Sequence, residues 1–517
     1  MKKILSFIFS ALLLGNFVCV AQEKKTAPDE QRLKQILAEF ESYAQKTMDE
    51  WQIPGMAVAI IKDDSVIYAK GFGVKEKGKT EPVTPHTIFQ IGSTSKAFTA
   101  ALVAMMVDEG KVNWKGRVID YVPDFKMYDA WVTREFMVED LLAQHSGLPA
   151  YSADAQSFFG FDREHVKKSL AFIKPVSSFR SQFAYVNNLF LVAAEIVERK
   201  TGKSWEENIK ERIFLPLKMS ESSYDAKALI EGKDVAAGHN IQNGAVTAVS
   251  KELNWPYIYG PAGGINSNVI DMSKWLRLQI NDGEVSGVRL ISEENMNFMH
   301  SPKTIAVYDA KKEIGAYYCL SWIYVDSRPY PFIWHNGGTT GYHSMVCFWP
   351  EPKIGIVILT NESSNKLAEA LPKYFADLYF GNPKKDYSKE ALDEFNQAKA
   401  KAKAEIPKKP ENASAPLDLN KYTGVYSNAV YEDVVVELRG GALSVFLGPA
   451  KFELPLKHWD RDIFMYSIPS LGEGSEGFVS FTQSADGLIK QMTIDMLQED
   501  GCGVFEKKEN KPDSSSK

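Results

Sequence analysis

The chain of 517 residues is poor in cysteine, poor in histidine and without an excess of charge of either sign. Of the 4 cysteines only three lie beyond Val20, an odd number that is no disulfide framework, and no Cys-x-x-Cys spacing suggests zinc or redox chemistry. The 8 histidines are scattered and none falls in His-Glu-x-x-His, so metal-assisted hydrolysis is unsupported and no metal or cofactor is called for. Gly-x-Ser-x-Gly is absent too, which removes a Ser-His-Asp hydrolase built on a nucleophile elbow. With Lys+Arg at 60 against Asp+Glu at 66, the net charge of -6 offers nucleic acid or anionic lipid no general attraction. The 44% hydrophobic and 24% charged residues match a soluble globular chain, long enough for a large core plus an accessory unit.

The N-terminus carries the compartment signal. Lys2 and Lys3 precede an apolar run over residues 4–14, then Cys19-Val20-Ala21 and the polar Gln22-Glu23-Lys24-Lys25. That order predicts a secretory signal over 1–21, cut after Ala21, and a periplasmic or extracellular mature chain. An uncleaved anchor is the alternative, but the run is short for a bilayer span, and no transmembrane span is expected in the mature chain. Cleavage would take the net charge to -8 and leave Cys319, Cys347 and Cys502. Buried free thiols are expected, although Cys319 and Cys347 could pair if neighbouring strands presented them.

Beyond residue 22, Leu33, Ile36, Leu37, Phe40 and Tyr43 recur at helical spacing up to about residue 50. Residues 55–61 and 65–69 flank Lys62-Asp63-Asp64 in a hairpin pattern. The stretch 84–310 reads as mostly helical, and strand-like runs return at 317–325, 345–349 and 354–360. Strands at both ends of a helical middle predict one sheet assembled from distant parts of the chain, an α+β fold. Composition shifts near residue 384. Residues 388–406 read as a solvated Ala/Lys/Glu-rich helix, and the Pro-containing segments 407–410 and 413–416 as a linker. Short alternating runs at 434–438, 442–447, 478–482 and 488–494 then predict a small all-β unit. The expected division is a signal over 1–21, a main domain over 22–385, a helical linker over 386–415, a barrel-like β domain over 416–508 and a disordered tail over 509–517.

Three short motifs could carry chemistry. Ser93 and Lys96, in Gly92-Ser93-Thr94-Ser95-Lys96, stand one helical turn apart and face the same way. The helix after them is apolar nearly all round, as a buried helix reads. A lysine short of water is pushed toward the neutral amine, which can take a proton from a hydroxyl. A helix cap followed by a surface lysine would read the same, and Ser-x-x-Lys recurs at Ser363/Lys366 and Ser514/Lys517. The second motif is Tyr185-Val186-Asn187, at a loop-like start to a helix over 189–200. A phenol beside a cationic lysine can have its pKa lowered and act as a base, and an amide can bond both lysine and a substrate carbonyl. A half-buried tyrosine with an Asn cap is the plainer reading. In the third, Trp334-His335-Asn336-Gly337-Gly338, the glycines let a ligand approach the backbone. An edge strand there would offer the Gly338 N–H, with that of Ser93, to a reacting carbonyl oxygen.

In this order, Ser93-x-x-Lys96, Tyr185-x-Asn187 and His335-x-Gly337 resemble the serine β-lactamase and penicillin-binding-protein superfamily, nearest its class C-like branch. Segments 84–89, 141–149 and 261–267 match its general pattern, and the resemblance spans about residues 35–380. The resemblance implies an antiparallel sheet flanked by helices with an all-helical subdomain. It also implies Ser93 as acylated nucleophile, Lys96 as its activator and Tyr185 as proton shuttle. Asn187 would position Lys96 and substrate, and His335, Gly337 and Gly338 would line the acyl group. Residues 416–508 look like the small β domain often appended to such hydrolases.

Two departures matter. His335 stands where lactamases of this branch usually carry Lys, and a mostly neutral His suits a β-lactam carboxylate poorly. DD-peptidases and esterases are among the members with His-x-Gly. Gln144 stands where relatives often have His, so His145 is expected only to pack its loop. Trp255, Tyr257, Tyr259, Trp334 and Tyr342 are either an aromatic pocket wall or core. The implied function is a secreted serine hydrolase acting on a small ester, amide or peptide, or passing the acyl group to an alcohol or amine. A catalytically inactive binder of cell-wall peptides with the same fold is the alternative, against which the intact motifs argue.

Overall fold

The computed structural model describes residues 27–242, 244–250, 255–311, 313–404, 408–468 and 475–509. The expected signal over 1–21 and the expected tail from residue 510 onward lie outside them. Helix α1 (Glu30–Glu50) begins where the Asp29 side chain caps the Arg32 N–H at 2.7 Å. The hairpin β1 (Gly55–Lys62) and β2 (Ser65–Gly73) follows. Helices α2 (Lys96–Asp108), α3 (Asn188–Thr201) and α4 (Val269–Ile280) occupy the middle of the chain. Then come β3 (Thr304–Asp309), β4 (Ile314–Tyr318), β5 (Ile323–Val325), β6 (Phe332–Thr339), β7 (Tyr342–Trp349) and β8 (Ile354–Thr360). Helices α5 (Leu367–Phe380) and α6 (Tyr387–Ala404) follow.

The eight strands form one antiparallel sheet in the order β2-β1-β8-β7-β6-β5-β4-β3. Its centre joins β1 to β8, with Met56 opposite Thr360 and Lys62 opposite Ile354. Alternation along β1 splits the core into two layers. Met56, Val58 and Ile60 pack with α1 and α5 on one face, while Ala57, Ala59 and Ile61 pack with α2 and α4 on the other.

Three sequence expectations need correcting. The run 317–325 is not one strand: it breaks into β4 and β5 at a turn where Ser321 takes φ +70°. Residues 332–339 form a strand that lies inside the sheet. It pairs with β7 over Ile333–Thr339 but with β5 only as far as Trp334, so residues 335–339 keep one open edge. Helix α6 is not simply solvated, because its first turn docks on α1. Trp51 Nε1 donates to Ser388 Oγ at 2.9 Å, and the Ser388 N–H donates to the Tyr43 hydroxyl at 3.1 Å.

Beyond residue 408 a second antiparallel sheet of nine strands runs from Gly424–Asn428 to Val504–Lys507. Its two edge strands, Phe452–Pro455 and Lys457–Asp460, are separated in sequence only by Leu456. One residue cannot bridge distant edges, so the sheet curls until they meet, giving a barrel-like unit. Cys319 and Cys347 are free and buried, and Cys502 is buried.

Candidate active site

Ser93 lies in a short 3₁₀ turn (Gly92–Ser95) that feeds α2. Among residues 91–106 it alone is open to solvent, and Lys96 is wholly buried. Lys96 Nζ donates to Ser93 Oγ at 3.1 Å and to the Ala262 carbonyl at 2.8 Å. Burial lowers the Lys96 pKa to about 7, against the opposing pull of Asp154. The Ala262 carbonyl is itself held in place. Thr99, one turn along α2 from Lys96, donates to the Pro261 carbonyl at 2.7 Å, and Trp205 Nε1 donates to Thr99 Oγ1 at 2.9 Å. Segment 261–267 had marked only a resemblance, and nothing in its sequence shows that a carbonyl there grips a lysine.

The Tyr185 side chain reaches the same spot. Its phenol hydrogen-bonds Ser93, and Lys96 Nζ lies 4.7 Å from its ring centroid. The expected lowering of its pKa is not found. Burial pushes it well above the ordinary phenol value, because the cation that would favour a phenolate is a lysine drifting toward neutrality. The loop carrying Tyr185 is clamped by Gln144. Its Oε1 accepts from the Val186 N–H at 2.6 Å, its Nε2 donates to the Val186 carbonyl at 3.3 Å, and its own carbonyl accepts from the Ala184 N–H at 2.9 Å. Gln144 therefore has a positioning role that its sequence motif did not reveal.

Asn187 does not bond Lys96, contrary to expectation. Its Nδ2 donates to Asp154 Oδ2 at 2.6 Å, and Asp154 is the carboxylate whose charge supports Lys96. The lysine's second hydrogen bond goes to Ala262 instead.

Alternation along β6 distributes the third motif over two faces. His335 points toward the site, buried, with Nε2 3.2 Å from the Tyr318 hydroxyl and Nδ1 2.5 Å from the Asn336 carbonyl. Burial lowers its pKa to about 3, so the ring is neutral. Asn336 points the other way and donates to buried Glu369 at 2.8 Å. At Gly337 the backbone of β6 runs against the nucleophile segment. A Cβ there would sit 2.0 Å from the Ile91 carbonyl oxygen and 2.8 Å from the Ser93 nitrogen. Gly338 lies beside Gly92, which takes φ +52°. Ser344 on β7 ties down the same segment by donating to the Ile91 carbonyl at 2.6 Å.

Of the two readings of the aromatic residues, pocket wall or core, the contacts favour core packing. Tyr257 is bonded to Gln90 and Asn266, Tyr259 to the Ala153 carbonyl and Tyr342 to the Ala236 carbonyl. Trp334 faces a cavity of about 210 Å³ behind the sheet, away from Ser93, and the Trp255 side chain lies outside the described residues. His145 packs its loop, with Nε2 2.7 Å from Asp140 and Nδ1 2.9 Å from Thr304. Among the described residues no cluster of His, Cys, Asp or Glu could hold a metal ion.

Residues 40–379 match the Beta-lactamase family and residues 408–506 match a domain of unknown function, DUF3471. The chain belongs to the Beta-lactamase family. Its similarity extends to a hydrolase of unguisins from Aspergillus campestris, 29% identical over 423 residues, which are 77% of each chain. It extends also to the protein flp of Staphylococcus aureus, 25% identical over 340 residues, 64% of this chain and 65% of that one. An octameric penicillin-binding protein homologue from Pyrococcus abyssi shares the fold, with TM-score 0.58 and 24% identity over 89% of this chain and 98% of its own. Within this family of serine hydrolases the chain is a β-lactamase-fold member with a C-terminal all-β domain.

Proposed function

We propose that the protein is an exported serine hydrolase that forms an acyl-enzyme through Ser93 on small ester or amide substrates. The observation that carries this reading is the buried amine of Lys96, 3.1 Å from the one solvent-open hydroxyl of its segment, with a pKa near 7. Neutral Lys96 takes the Ser93 proton as Oγ attacks the substrate carbonyl. The N–H groups of Ser93 and Gly338 receive the developing oxyanion at the open edge of β6. Tyr185, kept a neutral phenol by burial, relays a proton from the amine to the departing alcohol or amine as the carbonyl reforms. Water then releases the acyl group. An alcohol or amine occupying the same cleft would take it by the same steps run backward, which is acyl transfer.

Lys96 must be neutral to act, so the acylation rate constant should climb as pH rises through about 7 and level off above it. Stopped-flow acylation by a p-nitrophenyl ester measures this directly. A rate constant flat between about pH 5.5 and 8.5 would contradict the assignment.

His335 determines the substrate class. A neutral ring gives a β-lactam carboxylate no cation to meet, whereas an uncharged ester requires none. Comparing turnover of p-nitrophenyl esters, a D-Ala-D-Ala peptide and a cephalosporin tests this reading. Ester turnover should exceed cephalosporin turnover by about tenfold or more, one charge-assisted contact being worth about 1.5–3 kcal/mol. The reverse ranking would remove the weight placed on His335.

A further inference from the structure

The C-terminal β domain contacts a loop that borders the candidate site. Residues 151–161 form the loop that carries Asp154, and the β domain holds this loop at several points. The Ala153 N–H donates to Asp500 Oδ2 at 2.8 Å, Gln156 Nε2 to the Val430 carbonyl at 2.7 Å, and the Ala450 N–H to the Phe159 carbonyl at 2.9 Å. Buried Tyr431 sets its ring edge-on to Phe159, with centroids 5.8 Å apart. Glycine stands on both sides of the junction. A Cβ on Gly160 would lie 2.8 Å from Ala450 Cβ, and one on Gly448 would lie 2.4 Å from the Phe159 carbonyl oxygen. At each of these two contacts the approach is this close because one partner has no side chain.

Within the loop, Tyr151 and Ala153 both take φ +58°, a left-handed conformation that L-residues adopt when their surroundings impose it. In this conformation the Ala153 N–H meets Asp500. The next residue, Asp154, accepts from Asn187 and acts on Lys96. We propose that the C-terminal β domain is a buttress of the active site, with Asp500 a positioning residue that holds Asp154 against Asn187 and beside Lys96 through the Ala153 N–H. This gives a task to a domain matched only as one of unknown function, and it rests on the reading of Ser93 and Lys96 above.

The inference has a signature that mere folding lacks. Lys96 is faced by Ser93 from its own turn, by Asp154 from the 151–161 loop, by Tyr185 from the loop before α3 and by neutral His335 from β6. Of these Asp154 alone holds the Lys96 pKa up, and Asp500 acts on it only through the loop. Loosening the loop should therefore move the pH midpoint of acylation downward, the direction that Asp154→Asn produces in full.

The experiment measures acylation against pH in the full-length protein. Asp500→Ala should lower the midpoint by about half a unit or more and slow acylation about tenfold at pH 8. Asp500→Asn, which keeps an acceptor for the Ala153 N–H, should rescue both. Gly448→Ala, which pushes the loop from the domain side without removing any group from it, should repeat the downward shift and stands in if Asp500→Ala does not fold. An Asp500→Ala profile that overlays the wild type sinks the inference. So does an Asp500→Asn profile that matches Asp500→Ala, or a Gly448→Ala profile with the wild-type midpoint. Absence of Ser93 acylation in the wild type would instead sink the reading on which the inference rests.

Discussion

Ser93→Ala is expected to abolish covalent labelling by a fluorophosphonate and to lower ester turnover about 10⁴-fold or more, with the thermal midpoint nearly unchanged. Two features make the loss large. The hydroxyl belongs to the one partly accessible residue beside the near-neutral amine, and the residual rate would come only from substrate binding and the backbone N–H groups. Two features keep the fold. Lys96 retains its bond to the Ala262 carbonyl, and Ser344 still holds the Ile91 carbonyl. Labelling that persists in the variant would place the chemistry elsewhere. Ser363, in the second Ser-x-x-Lys, is a poor substitute because its hydroxyl donates to Asn240 at 2.6 Å.

Gly337→Ala should have the next largest effect, by a different route. The added methyl would lie 2.0 Å from the Ile91 carbonyl oxygen and 2.6 Å from Ser344 Oγ, both fixed parts of the nucleophile's support. Contact distances require a shift of about 1 Å between β6 and residues 91–93, and misplacement of that size costs about 10²-fold in rate. The strain should also lower stability by about 1–3 kcal/mol. Gly338→Ala is the control for stability, since its Cβ would meet nothing nearer than His343 Nδ1 at 3.8 Å. Thermal melts and acylation rates of the two variants measure both effects. Equal melting of Gly337→Ala and Gly338→Ala would refute the close-approach argument.

These two glycines show how far the sequence could be read. Gly337-Gly338 in a segment near strands announced close backbone approach, yet the pair is not equivalent. One glycine is needed because a strand presses on the nucleophile turn, and the other borders open space. Ser93 and Lys96 were legible because their relation is local: three positions on a helix fix which way two side chains face. The hydrogen-bond partner of Asn187 and the direction of the Tyr185 pKa shift were not legible, because each depends on a partner far along the chain. Asp154 takes the Asn187 amide, and burial of Lys96 removes the charge that would have lowered the phenol. Gln144 was noticed only as a departure from a pattern, since a clamp on Val186 exists only once two loops meet.

The sequence by itself determined the local matters: helix and strand periods, the spacing of hydroxyl and amine, the change of composition near residue 384, and the missing lysine at position 335. These depend on neighbours within a few residues, where backbone geometry is the whole argument. The tertiary structure decided how far Lys96 is stripped of water, which carbonyl grips it, and that residues 335–339 keep an open edge inside the sheet. It also decided that a separate β domain holds the loop bearing Asp154. Desolvation and hydrogen-bond partners are set by chain segments hundreds of residues apart, and no local pattern encodes which of them will meet.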